Sequence, residues 1–249
     1  MIAGLWVSCY TNSHAQSNVQ FSGQAIRSAP NDISRQMQLY VGDNQVRVEY
    51  RYGATDMVKI YDMANQRLLV LVPQQKIYMQ RGLPSGRSVN PMLPPRDSNP
   101  CSVIPEGQCE KLGSENLFGR PVSKWEVTVD QQGKALHSLH WIDEERLMSL
   151  RDVWPDGSVS ELTLQGTERR DERVTERWQR VTEHLDGTKD VTTQWYDPEL
   201  RISVREERPG GLVREITRIR IAKQPEKLFQ APPDYRRVEE NGQKPGTTE

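Results

Sequence analysis

The chain has 249 residues, with 33 Lys and Arg against 34 Asp and Glu, and a formal net charge of −1 at pH 7. This balance, without a separate basic cluster, argues against a nucleic-acid-binding protein. Hydrophobic residues make up 35% and charged residues 27% of the chain, which favours one twisted sheet with a solvated face over a layered α/β enzyme. No apolar run is long enough to predict a transmembrane segment.

The N-terminus predicts export. The apolar stretch IAGLWVSCY precedes NSHAQ, in which Ser13 and Ala15 occupy the small positions of a small-x-small cleavage site. Because the apolar run is short and lacks preceding positive charges, residues 1–15 are interpreted as a truncated signal peptide, with a mature chain that begins at Gln16. The alternatives are a lipid anchor at Cys9, whose lipobox lacks the usual Leu, and a cytosolic protein.

Alternation with period two predicts antiparallel strands along most of the chain. In QVRVEYRY, Val46 and Val48 lie on one face while Arg47 and Glu49 lie on the other, as is typical of a sheet with one solvated face. Turn signals rich in Gly, Pro, Asn and Asp separate these runs at intervals of about 8 to 12 residues. We therefore expect a mainly β protein with about 13 or 14 strands and little helix.

The segment 82–110 has six prolines and little periodicity, and so long a loop is often a lid or binding loop. It contains Cys101 and Cys109, which are too far apart for a redox C-x-x-C pair or a zinc knuckle. A ring of this size can close as a disulfide, and Pro105 and Gly107 favour the necessary turn. Two free thiols are the alternative, but an exported chain favours the disulfide.

The second half of the chain contains an internal repeat. WIDEERLMSLRDVWPDGSVSELT aligns with WYDPELRISVREERPGGLVREIT at an offset of 54, so that Trp141 falls on Trp195. Upstream, at an offset of 53, Trp125 falls on Trp178. The match predicts a duplicated four-strand meander in one continuous sheet, with units at 113–165 and 166–222. It also argues against a helix over 168–180, whose counterpart contains FGRP.

The sequence shows no catalytic, phosphate-binding or dinucleotide-binding motif, which predicts a non-enzymatic protein without a cofactor or metal. His137 and His140 point to opposite faces of a strand and cannot share a metal ion. The aromatic residues suggest a different kind of site, an apolar groove for a lipid or for the acyl chain of a partner. Its candidates are Trp125, Trp141, Trp154 and Trp195, and the alternative for all four is ordinary core packing.

Several short motifs resemble those of bacterial LolA/LolB-like envelope domains, which include outer-membrane lipoprotein-sorting proteins. In the first half, Arg47 and Glu49 lie on a strand, Asp62 ends the next one, and the P-x-x-K-x-Y motif follows at 73–78. The second half continues with LGSENLFGRPVSKWEV, WIDEERLMSLR and a closing LFQAPPDYRRV. The resemblance extends over about residues 19–238, and the closer match is to the uncharacterised branch of these proteins.

The resemblance implies an incomplete, half-open antiparallel β-barrel in the periplasm of a Gram-negative envelope. Its apolar concave face would bind an amphiphile, a lipid or a lipidated protein. We therefore expect a single domain over 19–238, followed by a disordered tail at 239–249. The alternative is a periplasmic protein-interaction or sensor module that binds an envelope protein partner and no small ligand.

Overall fold

The computed structural model describes residues 19–30, 34–83, 92–102, 104 and 106–239. The predicted signal peptide and residues 240–249 of the predicted tail lie outside the described residues. The described chain forms these strands: β1 Phe21–Ser28, β2 Arg35–Val41, β3 Gln45–Tyr52, β4 Thr55–Asp62, β5 Arg67–Val72, β6 Ile77–Gly82, β7 Gln108–Leu117, β8 Arg120–Gln131, β9 Lys134–Asp143, β10 Ser149–Val153, β11 Val159–Arg170, β12 Arg173–Glu183, β13 Lys189–Asp197, β14 Ile202–Arg208, β15 Leu212–Ile221 and β16 Arg236–Arg237.

The helical content of the described residues is limited to four short 3-10 turns, at Pro73–Gln75, Pro100–Ser102, Pro209–Gly211 and Glu226–Phe229. None of these turns has the length or the apolar character that a bilayer-spanning helix needs. The segment 168–180 forms the end of β11, a turn and the start of β12, so it is not helical. The prediction of little helix is confirmed.

All the strands belong to one sheet, in the order β16-β6-β5-β4-β3-β2-β1-β15-β14-β13-β12-β11-β10-β9-β8-β7. Neighbouring strands are antiparallel, except for β16 and β6, which are parallel. The edge strands β16 and β7 do not pair with each other, so the sheet stays open. The predicted mainly β fold, an incomplete antiparallel barrel, is confirmed.

This strand order requires two long crossings. Strands β1 to β6 run from the centre of the sheet to one edge, whereas β7 to β15 return from the other edge to the centre, where β15 pairs with β1. The chain between β6 and β7 must therefore pass from edge to edge, and the chain after β15 must return to β6. We call the described residues between 92 and 107 the proline strap and residues 222–239 the C-terminal strap.

The proline strap packs on the centre of the sheet. Met92 and Leu93 are partly buried, and Pro100 is buried. A disulfide between Cys101 and Cys109, whose Cα atoms are 5.9 Å apart, ties the strap to β7. The buried cluster beneath Met92 and Leu93 consists of Phe21, Leu39, Val41, Val46, Trp195, Leu200, Ile202, Val204 and Ile216.

The C-terminal strap covers the opposite face of the first six strands. Phe229 is 2% exposed and packs in a cluster with Val58, Ile60, Leu69 and Leu71. The guanidinium of Arg47 donates a 2.8 Å hydrogen bond to the carbonyl oxygen of Leu228, and Lys76 pairs with Asp234 at 2.9 Å. Because Arg47 alternates with Val46 along β3, the two straps lie on opposite faces. The two straps therefore cover part of each face of this half of the sheet.

The two units of the predicted repeat make matching contacts. Each has a β-bulge before a glycine with positive φ, Gly113 in the first unit and Gly166 in the second. In each, one arginine binds an aspartate and the glutamate two residues later, and one tryptophan indole donates to a glutamate. The sets are Arg120, Asp143, Glu145, Trp141 and Glu115, and Arg173, Asp197, Glu199, Trp195 and Glu168. These contacts support the duplication, which stays a prediction from the sequence.

Candidate functional site: an apolar cavity beneath the proline strap

An apolar cavity of about 370 Å³ lies between the proline strap and the centre of the sheet. Its walls come from β1 to β4, β14 and β15, and Met92 of the strap also lines it. The volume falls in the lower part of the range of about 300–1,000 Å³ that is typical of small-molecule sites. The apolar wall includes Ala25, Met37, Leu39, Val48, Val204 and Ile216.

The cavity exists because one wall residue is small. Ile216 of β15 lies directly opposite Ala25 of β1. At the equivalent place in the first unit, Leu162 of β11 lies opposite Arg180 of β12. The long side chain of Arg180 fills that space and reaches Asp152. Ala25 has only a methyl group and leaves the corresponding space of the second unit open.

The side chains around Arg180 form a buried polar network. His140 and Asp152 are 4% and 5% exposed, and the Nδ1 atom of His140 lies 2.7 Å from Oδ1 of Asp152. Nε2 of His140 lies 2.8 Å from the hydroxyl of Ser138. Nη1 of Arg180 donates to the other oxygen of Asp152 at 2.9 Å, and the hydroxyl of Ser149 donates to the first.

Charge and hydrogen bonding keep Asp152 ionised. Burial by itself would raise the pKa of this carboxyl group, but the hydrogen bond with His140, the positive charge of Arg180 and the hydroxyl of Ser149 outweigh burial. The pKa of Asp152 is therefore lowered from its ordinary value. The network joins β9, β10 and β12 through a charge that cannot be removed without leaving its partners unsatisfied.

The same network has the order of groups of a serine-hydrolase relay, with Ser138 next to His140 and His140 next to Asp152. In such a relay the carboxylate stabilises the imidazolium that forms when the serine attacks. Here Arg180 and Ser149 already engage both oxygens of Asp152, so its negative charge is largely compensated. The contacts therefore favour a structural role for this network.

Two of the four tryptophans predicted to line a groove are covered by cations. Trp141 is 8% exposed and has the Lys124 ammonium 4.8 Å and the Arg151 guanidinium 5.4 Å from its ring centroid. Trp195 is 7% exposed and lies beneath two arginines at 5.0 and 5.4 Å. Such cation–π contacts are worth about 0.5–2 kcal/mol, depending on how far the pair is desolvated.

The other two tryptophans lie on the face of His140. Trp125 is opposite His140 in the sheet, and its indole nitrogen is buried without a hydrogen-bond partner in the described part of the chain. Trp154 is 41% exposed, with its ring edge-to-face against His140 at 5.5 Å. None of the four tryptophans lines the strap cavity. Their role as ligand contacts stays a prediction. Cations cover Trp141 and Trp195, and Trp154 packs against His140 from the turn after β10.

The residues that do line the cavity were missed by the sequence reasoning. The available signal was the repeat itself, because Ile216 is the counterpart of Leu162, a buried strand residue. What the repeat does not contain is the identity of the neighbouring strand, which is β12 for Leu162 but β1 for Ile216. Across residues 19–30, 34–83, 92–102, 104 and 106–239, no three His, Cys, Asp or Glu side chains come together as metal ligands.

Comparisons with known proteins give distant similarities among solved structures. No protein-family model and no curated protein matches this chain. Among solved structures, a LolA superfamily protein from Nitrosomonas europaea has 12% identity and a TM-score of 0.38, over 87% of this chain and 91% of that one. A domain assigned to outer membrane lipoprotein-sorting proteins from Vibrio parahaemolyticus has 10% identity and a TM-score of 0.38, over 85% and 89%.

A DUF1329 family protein from Desulfovibrio piger has 13% identity and a TM-score of 0.38, over 87% of this chain and 91% of that one. LolA-like proteins are thus among the solved structures that this chain resembles, as its sequence motifs predict. At these identities and TM-scores the likeness concerns the fold and says nothing about ligands.

Proposed function

We propose that this protein is a non-enzymatic periplasmic binding protein that holds the apolar chain of an amphiphile, either a free lipid or a lipidated protein, in the strap cavity. The observation that carries this proposal is the apolar cavity of about 370 Å³ under a chain segment that is tethered by a disulfide. Each Å² of apolar ligand surface removed from water contributes about 25 cal/mol. An alkyl chain fits such a site because it needs no polar partner there.

The strap gives the cavity a way to open. It is held at Cys101 by the disulfide and at Arg96 by a hydrogen bond to Asn44, in the turn between β2 and β3. Met92 lines the cavity from above. Because the strap contributes no strand to the sheet, it can lift without breaking a ladder hydrogen bond.

The periplasmic location in this proposal is supported by the cleavage-site pattern before Gln16 and by the disulfide. A disulfide between Cys101 and Cys109 persists in an oxidising compartment and is rare in the cytosol. The test is to purify the chain from a periplasmic fraction and determine its N-terminus and thiol content. A chain that starts at Met1, with thiols that react before reduction, would contradict this location.

Ligand binding is tested with the methyl ester of dodecanoic acid labelled with nitrobenzoxadiazole, a neutral amphiphile whose fluorescence rises in an apolar site. We expect saturable binding that Ala25→Phe abolishes, because the ring would fill the cavity. Ala135→Phe, on an exposed part of β9, is the matched control and should bind like the wild type. Equal binding by both variants would contradict the proposed site.

Native mass spectrometry of protein from the periplasm adds a second readout. A co-purifying mass that disappears in Ala25→Phe supports the carrier. The absence of enzymatic activity is tested with a fluorophosphonate probe, which we expect to leave Ser138 unlabelled because Asp152 is already paired with Arg180. Stoichiometric labelling of Ser138 would contradict it.

A second candidate, a protein-interaction module without a small ligand, is favoured by the open edge of the sheet. Strand β7 has ten residues and, among the strands that the structure describes, pairs only with β8. One side of its backbone is therefore available to add a strand from a partner. A clean ligand-free mass, together with a cross-link from β7 to an envelope protein, would favour this module over the carrier.

A further inference from the structure

Three arginines stand side by side at the mouth of the strap cavity. Arg27 of β1 lies directly opposite Arg35 of β2 and opposite Arg214 of β15. Strand alternation places all three on the face of the apolar cavity residues Ala25, Met37 and Ile216. Arg27 and Arg214 themselves line the cavity. Two carboxylates, Glu206 and Glu215, line it too, and each already pairs with two arginines. We call Arg214, Arg27 and Arg35 the arginine row.

The arginine row is poorly compensated. Arg214 pairs with Glu206 at 2.7 Å, but Glu206 is shared with Arg208, also at 2.7 Å. Neither Arg27 nor Arg35 has a carboxylate within salt-bridge distance among the residues that the structure describes. Like charges directly opposite each other destabilise a sheet. The row therefore carries like-charge repulsion, which exposure of its arginines to solvent weakens.

The neighbouring strands β11 and β12 show that the fold does not require charges at two of these three positions. The counterpart of Arg214 is Ser160 of β11, and the residue opposite Ser160, in the place of Arg27, is Thr182 of β12. The two hydroxyl groups hydrogen-bond to each other at 3.1 Å. A neutral pair is thus compatible with the register, and the row arises only where β1 and β2 adjoin β15.

We propose that the arginine row binds the anionic headgroup, a carboxylate or a phosphate, of a single-chain lipid whose alkyl chain occupies the strap cavity. This inference rests on the proposed function and names its ligand class. Guanidinium groups form paired hydrogen bonds with carboxylates and phosphates, so an anion between Arg27 and its neighbours would relieve their repulsion. A cavity of about 370 Å³ is at the small end of ligand sites, which favours one chain over two.

The experiment compares nitrobenzoxadiazole-labelled dodecanoic acid with its methyl ester, two probes that share a chain and differ in headgroup charge. We expect the acid to bind the wild type roughly tenfold more tightly than the ester at low salt, as one charge-assisted interaction would give. The advantage should shrink in 1 M salt, where screening acts over about 3 Å. Equal affinity for acid and ester, with both bound, would overturn the headgroup site and leave the carrier intact.

The variants are Arg27→Gln, with Arg177→Gln as the matched control. Arg177 is exposed and alternates on β12 with Trp178, whose face carries Arg180. We expect Arg27→Gln to remove most of the acid's advantage, to leave ester binding unchanged, and to keep or raise the urea midpoint because a repulsive charge is gone. A lowered midpoint with unchanged acid binding would show Arg27 to be structural and would overturn the proposal.

Two further results separate failures of the site from failures of the function. If neither probe binds, the cavity function and the headgroup site both fall. Inorganic phosphate is the last probe. We expect it to bind weakly and to compete with the labelled acid but not with the labelled ester. Phosphate that binds the row as tightly as the labelled acid would show an anion site without a lipid and would overturn the amphiphile class.

Discussion

The two units of the repeat differ in what fills their centres. At the centre of the first unit, His140 and Asp152 form a buried network with Arg180, which β12 contributes from the start of the second unit. In the second unit, the counterparts of His140 and Asp152 are Gln194 and Glu206, and the place of Arg180 is taken by Ala25. An apolar cavity, whose lining includes Arg27 and Arg214, lies there in place of a polar network.

This difference shows that the backbone frame and the site are specified separately. Bulges, turns and the arginine–aspartate pairs are shared, so both units keep the same register. The long Arg180 is opposed by Leu162, whereas the short Ala25 is opposed by Ile216. This change of side-chain size accompanies the exchange of a filled centre for an open one.

The largest expected effect breaks the network of the first unit. Asp152→Asn removes a buried charge and leaves Arg180 and His140 without their partner, so we expect a loss of about 3–5 kcal/mol in the free energy of unfolding. Glu206→Gln is the matched change in the second unit. It should cost less than about 1 kcal/mol, since its arginines are exposed. Urea denaturation of both variants tests this, and equal losses would show that the units are not energetically distinct.

The next effect concerns the strap over the second unit. Replacing Cys101 and Cys109 by serine opens a small ring, and we expect a loss of about 2–3 kcal/mol from the entropy of the unfolded chain. The strap should also lift more often, so the labelled ester should dissociate faster while Ala25→Phe still blocks it. Stopped-flow fluorescence and urea denaturation measure the two effects. An unchanged dissociation rate would show that the strap does not control access.

A smaller effect tests the equivalence of the shared frame. Trp141→Phe and Trp195→Phe each remove one indole hydrogen bond to a glutamate and weaken the cation–π contacts. We expect each change to cost about 1–2 kcal/mol, with similar losses because the surroundings match. Thermal and urea unfolding compare the two. A large loss for one tryptophan and none for the other would argue against the duplication.

The smallest expected effect is a pH dependence specific to the first unit. The pKa of Asp152 is lowered in the folded protein, so its contribution is fully present above the unfolded value of about 3.9. That contribution is lost as the pH falls through the folded pKa, because the unfolded chain then binds the proton more readily. The stability gap between wild type and Asp152→Asn should therefore narrow as the pH is lowered below about 4. A gap that is constant down to pH 2 would contradict this assignment.

Much of the fold was predictable because it depends on local patterns. The alternation in QVRVEYRY predicted β3, and the glycine-rich turns predicted successive antiparallel strands in chain order. The spacing of Cys101 and Cys109 indicated the ring that the disulfide closes. The sequence also indicated a lid in segment 82–110, part of which packs over the cavity as the proline strap.

The site itself was less accessible. The sequence reasoning proposed tryptophans because they are large and apolar, but side-chain type does not reveal which residue lies across the sheet. Lys124 and Arg151 cover Trp141, and neither contact follows from local alternation. A single small residue in a strand, such as Ala25, does not by itself indicate a cavity.

The sequence alone predicted most of the described strands, about 13 or 14 of the sixteen, with their alternating faces and the spacing of the cysteines, because these follow from periodicity and spacing along the chain. Only the tertiary structure decided that β1 pairs with β15, which lies some 190 residues later in the chain. That pairing placed Ala25 opposite Ile216 and Arg27 opposite Arg214. Contacts between such distant segments depend on how the whole sheet closes its apolar surface, and no local pattern specifies them.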